Sequence, residues 1–327
     1  MKAKMLKFSV FNRSRYTVGL ACGARQLALI GLKVGSPVRP RLQMLSQADV
    51  DAAEDRQRLL RDWVSQHGLR GCPAVLSLLP GEYQLLHIER PPVTEDELLA
   101  SLRWRIKDLL DYPAAEAVLD AFEIPDSRHR GRPKMLSVAA ARFSALQHWA
   151  QLAASAGLKP QTIGIAELAL RNLSERATYA TTETVVTLCL LPQSGVIQIS
   201  RGGQLYLARE LDYGLTLLTG SSHSIPGDEP HERLALELQR TMDYYDSQFG
   251  LAPPRRLLMV PVDASVEPLT QAVSASLGLP TQLLPLARVV EWIADSPAQL
   301  SAIAALALGG ILPLPPTESK PRHETAG

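Results

Sequence analysis

The chain has 327 residues, of which 46% are hydrophobic and 20% charged, and its formal net charge at pH 7 is +1. This length is sufficient for two domains with hydrophobic cores, and the composition is that of a soluble globular protein. Because positive and negative charges balance, the composition argues against nucleic-acid binding as a main role and against direct attraction to a membrane surface.

The first predicted element is a hairpin at 18–32, VGLACGARQLALIGL, in which two apolar strands flank a turn at Gly23. Hairpins of this shape that hold a nucleotide usually have an Asp just before the turn. Here the corresponding residues are Ala21 and Cys22, so the hairpin lacks the acid that would orient a metal ion.

An insertion at 81–130 contains the clearest helix signal in the chain. Thr94 and Glu97 are spaced as a capping box, and Pro113 ends the segment. Four apolar residues between these ends are predicted to share one helix face: Leu99, Leu102, Ile106 and Leu109. The flanking runs YQLLHIER and AVLDAFEI are typical of strands, so we expect a small strand–helix–strand subdomain.

Two segments repeat one order of elements: strand, helix, Gly-Leu, short strand and helix. The first begins at Met135 and the second at Arg256. Gly157 and Gly278 mark the same helix end in both, because Gly is the preferred residue of left-handed helix ends. Each copy follows a hairpin, and the hairpin of the second copy turns at the Gly-Gly pair 202–203. A repeat that occurs twice at this length predicts two related domains.

The last segments complete this organisation. Residues 234–249 have apolar residues at helical spacing. The run at 302–315 is predicted to be a packed final helix, since it is shorter than the ~20 residues of a membrane span. We expect a first domain at 1–80 and 131–178, the inserted subdomain at 81–130, a second domain at 179–315 and a disordered tail at 316–327.

The cysteines and the N-terminus indicate the cellular compartment. Cys22, Cys72 and Cys189 lie far apart in apolar runs without a CxxC partner, which is typical of buried thiols under reducing conditions. The N-terminal residues MKAKMLKF lack the apolar core and the cleavage site of a signal peptide. We therefore expect a cytoplasmic protein that reaches a membrane only through a partner.

Three segments carry a resemblance to a known family. The segment at 91–126, PPVTEDELLASLRWRIKDLLDYPAAEAVLDAFEIPD, has an acidic helix start, a Trp, a Tyr-Pro stop and a Val-Leu-Asp strand. In these features it resembles the insert of the PilM family of type IV pilus assembly proteins. LAASAGLKPQTIGIAELAL at 152–170 and LELQRTMDYYDSQFG at 236–250 are similar to two further segments of that family. Within the family, the chain looks most like the version belonging to mannose-sensitive haemagglutinin pili.

The resemblance implies an α/β, actin-like fold, in which a ribonuclease H-like unit is duplicated into a two-domain ATPase fold with a small inserted subdomain in the first half. It also implies a cytoplasmic assembly protein at the inner face of the inner membrane. Such a protein binds the short N-terminal tail of a single-span partner of the PilN or MshJ kind. Other pilus assembly components are further partners. Better-known family members bind ATP between their two domains.

Three elements of an actin-like nucleotide site depart from the family pattern. Where the first hairpin of the family reads Asp-Ile-Gly, residues 21–23 read Ala-Cys-Gly, or residues 19–21 read Gly-Leu-Ala after a shift of one residue. In the second hairpin, residues 189–191 read Cys-Leu-Leu, and Pro192 follows. The Gly-Gly pair expected near the adenosine is Pro-Val at 261–262. We therefore expect a degenerate site with no cofactor, no metal and no hydrolysis.

Alternatives remain for the nucleotide site and for the function. If the site is retained, Gly23, Ser194 and Gly195 are expected to bind the phosphates of ATP with Mg²⁺, as in an active ATPase of the same machine. A sugar or acetate kinase shares the fold, but its catalytic acid is not evident. A type II secretion protein is also actin-like, but it would be expected to continue into a membrane span beyond Gly327.

Arg103, Trp104 and Lys107 are the candidate partner-binding residues. Trp104 lies partly off the predicted apolar stripe and has two interpretations: a tryptophan packed at the edge of the core, or an anchor for a partner peptide. In the PilM family the partner tail lies in a groove between the insert and the rest of the first domain. The resemblance therefore places this helix near the tail.

Overall fold

The structure is a computed structural model that describes residues 16–312, apart from 24, 34–39, 126–132, 179–181, 220–229, 262, 264–265 and 293–298. The tail expected at 316–327 lies outside the described residues. Three β-sheets carry the fold, with six, five and three strands.

The strands are, in chain order, β1 (Tyr16–Cys22), β2 (Gln26–Lys33), β3 (Arg41–Asp49), β4 (Pro73–Leu78), β5 (Gln84–Glu89), β6 (Ala117–Glu123), β7 (Met135–Arg142), β8 (Lys159–Ile165), β9 (Thr184–Leu190), β10 (Gly195–Arg201), β11 (Gln204–Leu211), β12 (Arg256–Val260), β13 (Thr281–Leu283) and β14 (Glu291–Trp292). The helices are α1 (Ala53–Gln66), α2 (Glu95–Ile106), α3 (Phe143–Ser155), α4 (Ala166–Thr178), α5 (Leu215–Thr219), α6 (Pro230–Phe249), α7 (Glu267–Leu277), α8 (Leu286–Val289) and α9 (Ala302–Ile311).

The two larger sheets share one plan, in which three antiparallel strands are followed by parallel ones. The six-stranded sheet has the order β14-β3-β2-β1-β4-β8, and the five-stranded sheet has the order β11-β10-β9-β12-β13. β1 is antiparallel to β2 and parallel to β4, just as β9 is antiparallel to β10 and parallel to β12. The predicted duplication is therefore confirmed.

An apolar cluster joins the two halves of the molecule. Because side chains alternate along a strand, Val18 and Leu20 of β1 face α1 and α3, whereas Ala21 faces the opposite side, toward α4 and α9. Cys189 and Val260 of the second sheet belong to the same buried cluster as Ala21, which we call the central cluster. The outer side of the second sheet is covered by α6 and α7.

The repeat differs from its prediction in the strand that opens the first copy. Gly157 and Gly278 both adopt positive φ, at 97° and 61°, at the ends of α3 and α7, as predicted. However, the counterpart of β12 is β4, since each lies parallel to the central strand of its sheet. The strand beginning at Met135 is β7, which belongs to the insert.

The insert is a three-stranded antiparallel sheet, in the order β5-β7-β6, covered by α2. The predicted strand, helix and strand are present, but β7 lies between the two strands and pairs with both. The subdomain therefore extends past the expected boundary at residue 130. The physical reason is that β5 and β6 have no hydrogen-bond partners for their facing edges without this central strand.

The buried face of α2 also differs from the prediction. Leu98, Leu102 and Ile106 are buried, at spacings of four residues, whereas Leu99 and Leu109 are 44% and 52% exposed. Leu99 lies about 100° around the helix from Leu98, and Leu109 lies beyond the helix end at residue 106. The predicted helix is thus confirmed, but its apolar face is rotated.

The start of α2 keeps the predicted capping position without the predicted capping bonds. Thr94 is the N-cap residue, and its side chain accepts no bond from the helix backbone. Instead, its hydroxyl donates to Glu97 Oε2 at 3.2 Å. The helix begins where the sequence indicates, through a side-chain contact between the two predicted residues.

The last helix packs chiefly on the first sheet and on α4. Its buried sequence AIAALALGGI lies against β1, β2, β4 and α4, and β14 adds to the edge of the first sheet beside β3. A Cβ at Gly19 would lie 2.1 Å from the carbonyl oxygen of Ala307, so the contact is close. The expected second domain at 179–315 is therefore incorrect at its end, because an all-apolar helix is buried only between the sheet and α4. Among the described residues, no helix has the length and apolar character needed to cross a bilayer.

Candidate partner groove and interdomain cleft

A cleft of about 860 Å³ opens between the turns of the two hairpins. The first turn contributes Gly23 and Arg25, α3 contributes Trp149, and the second turn contributes Pro192 and Ser194. The last paired residues are Cys22 with Leu27 in the first hairpin and Leu190 with Gly195 in the second. The two turns therefore have the same length and register, which places Ala21 and Cys189 at equivalent positions.

The residues buried beneath the two hairpin turns are apolar. Ala21 and Cys189 are 0% and 1% exposed, and the nearby side chains of Leu79, Leu191 and Ile303 belong to the same central cluster. Burial raises the pKa of Cys189 to about 12, so its thiol is uncharged at neutral pH. In the part of the chain that the structure describes, no three His, Cys, Asp or Glu side chains lie close enough to hold a metal ion. The carboxylates that line the cleft are those of Asp49, which pairs with Gln26 beside the first turn, and Glu82, and neither stands at position 21 or 189.

Two of the three predicted phosphate-binding residues line the cleft. Gly23 and Ser194 line the cleft, but Gly195 is the buried first residue of β10, paired with Leu190. The N–H of Gly23 closes its own turn by donating to the carbonyl of Gln26 at 2.8 Å. Because this N–H already has a partner, it is not a free donor for a phosphate. The phosphate-binding role of Ser194 stays a prediction.

The second turn is held by the start of α5. The N–H of Leu215 donates to the carbonyl of Leu191 at 2.9 Å, and the N–H of Thr216 donates to the carbonyl of Pro192 at 3.0 Å. A Cβ at Gly214 would lie 2.0 Å from the Leu191 carbonyl oxygen, so the backbones are in close contact. These bonds fix the turn through its carbonyl groups.

One wall of the cleft carries a charged cluster that the sequence did not reveal. Glu82 accepts a hydrogen bond from the N–H of Leu79 at 2.8 Å, and the guanidinium of Arg56 lies 5.6 Å from the ring centre of Trp149. Burial raises the pKa of Glu82 to about 7, although the Leu79 N–H and Arg56 favour its charged form. These residues come from α1, α3 and the loop after β4, and no spacing in the sequence relates them.

A second apolar surface lies where the insert meets the first sheet. On this side of the insert, opposite α2, seven side chains pack together and are only partly buried: Leu85, Phe122, Ala139, Leu146, Trp149, Ile163 and Leu168. We call this surface the seam. Its centre is closed by the buried residues Tyr83 and Ile165. The seam has the place that the family resemblance gives to a partner groove.

The predicted partner-binding residues lie away from the seam. Trp104 is 70% exposed, so the interpretation of a tryptophan packed at the core edge is wrong. Lys107 lies 5.0 Å from its ring centre. Arg103 donates to the carbonyls of Ala114 and Ala117 at 3.0 and 2.8 Å and holds the loop after α2. Since α2 packs on one face of the insert sheet and the seam is on the other, these residues do not line the seam.

Tyr83 and Glu167 form a buried polar pair beneath the seam. The hydroxyl of Tyr83 donates to Glu167 Oε2 at 2.5 Å and accepts from the N–H of Ala166 at 3.2 Å. Burial raises the pKa of Glu167, and the bond from Tyr83 opposes this rise. The pair connects the loop after β4 to the start of α4, which packs in the central cluster.

Comparison with known proteins establishes the fold. Neither a protein-family model nor a curated protein matches the sequence at a significant level. The structure of a PilM–PilN type IV pilus biogenesis complex matches with a TM-score of 0.73 and 19% identity, over 91% of this chain and 99% of that chain. The chain has the actin-like ATPase fold.

Two further solved structures share this actin-like fold at lower similarity. The cytoplasmic domain of EpsL, an inner-membrane component of the type II secretion system of Vibrio cholerae, matches with a TM-score of 0.51 and 12% identity, over 90% and 93% of the two chains. A protein from Bacteroides thetaiotaomicron with an actin-like ATPase fold matches with a TM-score of 0.50 and 10% identity, over 91% and 98%. The predicted fold class is therefore confirmed.

Proposed function

We propose that the chain is a non-catalytic assembly protein of a type IV pilus, namely the MshI protein of a mannose-sensitive haemagglutinin pilus. It acts in the cytoplasm at the inner face of the inner membrane, where it binds the N-terminal tail of a PilN- or MshJ-like single-span protein. The seam is the observation that carries this proposal. The proposal is also supported by the similarity in fold to a protein that was solved in complex with PilN.

The seam has the chemistry of a peptide-binding site. Its apolar side chains are partly exposed, so a bound segment would remove further apolar surface from water. Asp120 on β6 and Glu89 on β5 are exposed on the same face of the insert sheet. Because cytoplasmic segments close to a membrane are enriched in Lys and Arg, a tail with apolar residues and a basic flank fits this surface.

The absence of catalysis is proposed from the interdomain cleft. Ala21 and Cys189 occupy the two equivalent positions where the family has acids, and both are buried among apolar side chains. These residues do not fit a hydrated magnesium ion, which takes oxygen ligands. A nucleotide-binding ATPase remains the alternative, favoured by the size of the cleft, which is within the range of small-molecule sites.

The test measures binding of the tail to the full chain. A labelled peptide with the N-terminal tail sequence of the single-span protein encoded beside this chain is titrated by fluorescence anisotropy. Ala139→Leu fills the seam and is expected to weaken binding at least about tenfold, as is Phe122→Ala, which removes apolar contact area.

Trp104→Ala, on the opposite side of the insert sheet, is the matched control and should leave the affinity unchanged. Circular dichroism checks that each variant is folded. The proposal is contradicted if the wild-type chain does not bind the tail, or if both seam variants bind it as tightly as wild type does.

A further inference from the structure

The side of α2 that faces away from the insert sheet carries an exposed stripe. Its members recur at helical spacing: Glu97, Ala100, Trp104 and Lys107. Trp104 is 70% exposed, although a tryptophan has a large apolar area. The partner tail is proposed to occupy the other side of the sheet, so the stripe is not part of that site.

The stripe is complementary to itself. At the start of α2 Asp96 and Glu97 are exposed, and at its end Arg105 and Lys107 are exposed. Glu95 and Arg103 are paired within the chain, with Arg90 and with loop carbonyls. Two such helices attract each other when they run antiparallel, because each acidic end then meets a basic end.

One register satisfies both the charge and the shape of the stripe. When Glu97 of one helix lies opposite Lys107 of the other, Ala100 lies opposite Trp104, because both pairs are centred on residue 102. The small side chains of Ala100 and Ser101 leave room for an indole ring between the helices. A twofold axis through the midpoint makes each contact twice, as in isologous dimers.

We propose that this stripe is a self-association surface whose occupant is the same stripe of a second copy of the chain. Trp104 of each copy packs on Ala100 of the other, and Glu97 pairs with Lys107 of the second copy. A single helix pair is smaller than a standard stable interface, so the dimer is weak in free solution. It strengthens when several copies are held on one membrane complex, where their effective concentration is high.

Sedimentation velocity of the full chain over a concentration series tests the proposal. The wild-type chain is expected to show reversible dimerisation, and Trp104→Ala should raise the dimer dissociation constant at least about tenfold. Glu97→Lys and Lys107→Glu should each weaken the dimer, because each places like charges opposite one another. Glu54→Lys, the same charge change at an exposed site on α1, is the matched control and should have no effect.

The double variant Glu97→Lys with Lys107→Glu separates this proposal from binding of another partner. Since both positions belong to one interface, exchanging both charges should restore dimerisation, whereas a foreign partner gains nothing from the exchange. A chain that stays monomeric at all concentrations overturns the proposal. So does a double variant that dimerises no better than the single ones.

Cross-linking provides an independent measurement. Ser101 lies beside the proposed axis, so it is close to Ser101 of the second copy. Because Cys22, Cys72 and Cys189 are buried, Ser101→Cys introduces an accessible thiol at the proposed interface. Mild oxidation should give a covalent dimer for Ser101→Cys and none for Glu54→Cys. Equal cross-linking of the two variants contradicts the proposed axis.

Discussion

The hydroxyl of Tyr83 donates a hydrogen bond of 2.5 Å to the carboxylate of Glu167, and both side chains are buried where the insert, the first sheet and α4 meet. The bond satisfies a carboxyl group that has little access to water. It also connects the seam to the central cluster, so the proposed partner site and the junction of the two halves share one polar contact.

Removing this hydroxyl tests its contribution to stability. Tyr83→Phe should lower the free energy of unfolding by about 2 kcal/mol, because it leaves a buried carboxyl group without its donor. Urea unfolding followed by circular dichroism measures the change. Tyr112→Phe is the control, since the buried Tyr112 hydroxyl has no hydrogen-bond partner among the described residues. A Tyr112→Phe variant as destabilised as Tyr83→Phe argues against this explanation.

Glu82 predicts a pH dependence of stability. Its pKa in the folded chain is raised to about 7, so the folded state binds a proton that the unfolded state has released at the same pH. The free energy of unfolding should therefore fall as the pH rises from about 4.5 to about 7. Glu82→Gln removes this titration. The free energy of unfolding of Glu82→Gln minus that of wild type should therefore be about 2 kcal/mol larger at pH 8 than at pH 4. Parallel pH profiles of the two proteins would contradict the shift.

Gly19 predicts a backbone contact that tolerates no side chain. Gly19→Ala should destabilise the chain by about 3 kcal/mol or more, because its Cβ would lie 2.1 Å from the Ala307 carbonyl and would displace α9. Gly164→Ala, in β8 of the same sheet, is the control, because its nearest neighbour, the Leu76 carbonyl oxygen, lies 4.0 Å away. Chemical denaturation of both variants gives the comparison, and similar losses would indicate that α9 is not seated on β1.

The apolar surroundings of Ala21 predict that the wild-type chain binds no Mg-ATP and that an acid at this position is destabilising. The wild-type melting temperature should not change at millimolar Mg-ATP, whereas a site filled at a hundred times its dissociation constant would add about 2.7 kcal/mol. Ala21→Asp should lose about 3 kcal/mol of stability, because it buries a carboxylate at a position with 0% exposure. Arg25→Asp, in the exposed part of the same turn, is the control. A Mg-ATP-dependent rise in melting temperature in wild type would favour the ATPase alternative.

Arg103 is expected to act within the insert. Arg103→Ala should destabilise the chain by about 2 kcal/mol, since two carbonyl groups of the loop after α2 lose their charged donor. Arg105→Ala removes an exposed side chain of the same type from the next position and should cost less than about 0.5 kcal/mol. Thermal unfolding of the two variants measures the difference. Equal stabilities of Arg103→Ala and Arg105→Ala would indicate that the Arg103 side chain is not needed within the insert and is available to a partner, as the sequence predicts.

Much of the fold could be predicted from local signals. Glycines at positive φ mark both hairpin and helix ends, and the paired Gly at 202–203 adopts φ values of 56° and 71° in the predicted turn. The missing acids at positions 21 and 189 are also a property of the sequence alone. Their equivalence was decided by the structure, because the strand register selects positions 21–23 over the alternative at 19–21.

The candidate sites depended on contacts that the sequence does not contain. α2 buries Leu98 where the periodicity predicted Leu99, and with this rotation of the buried face Trp104 is exposed. An apolar run with two adjacent leucines fits either face, so the sequence does not distinguish them. The cluster of Arg56, Glu82 and Trp149 joins three separate elements.

The sequence by itself determined the duplication, the turns and the absence of an acidic residue at positions 21 and 189, because these depend on residue identity and short-range spacing. Only the tertiary structure decided which sheet receives α9, where β7 pairs and which face of the insert remains partly exposed. Those outcomes depend on hydrogen bonding and apolar burial between residues far apart in the chain, where several pairings satisfy the same local pattern and only packing distinguishes them.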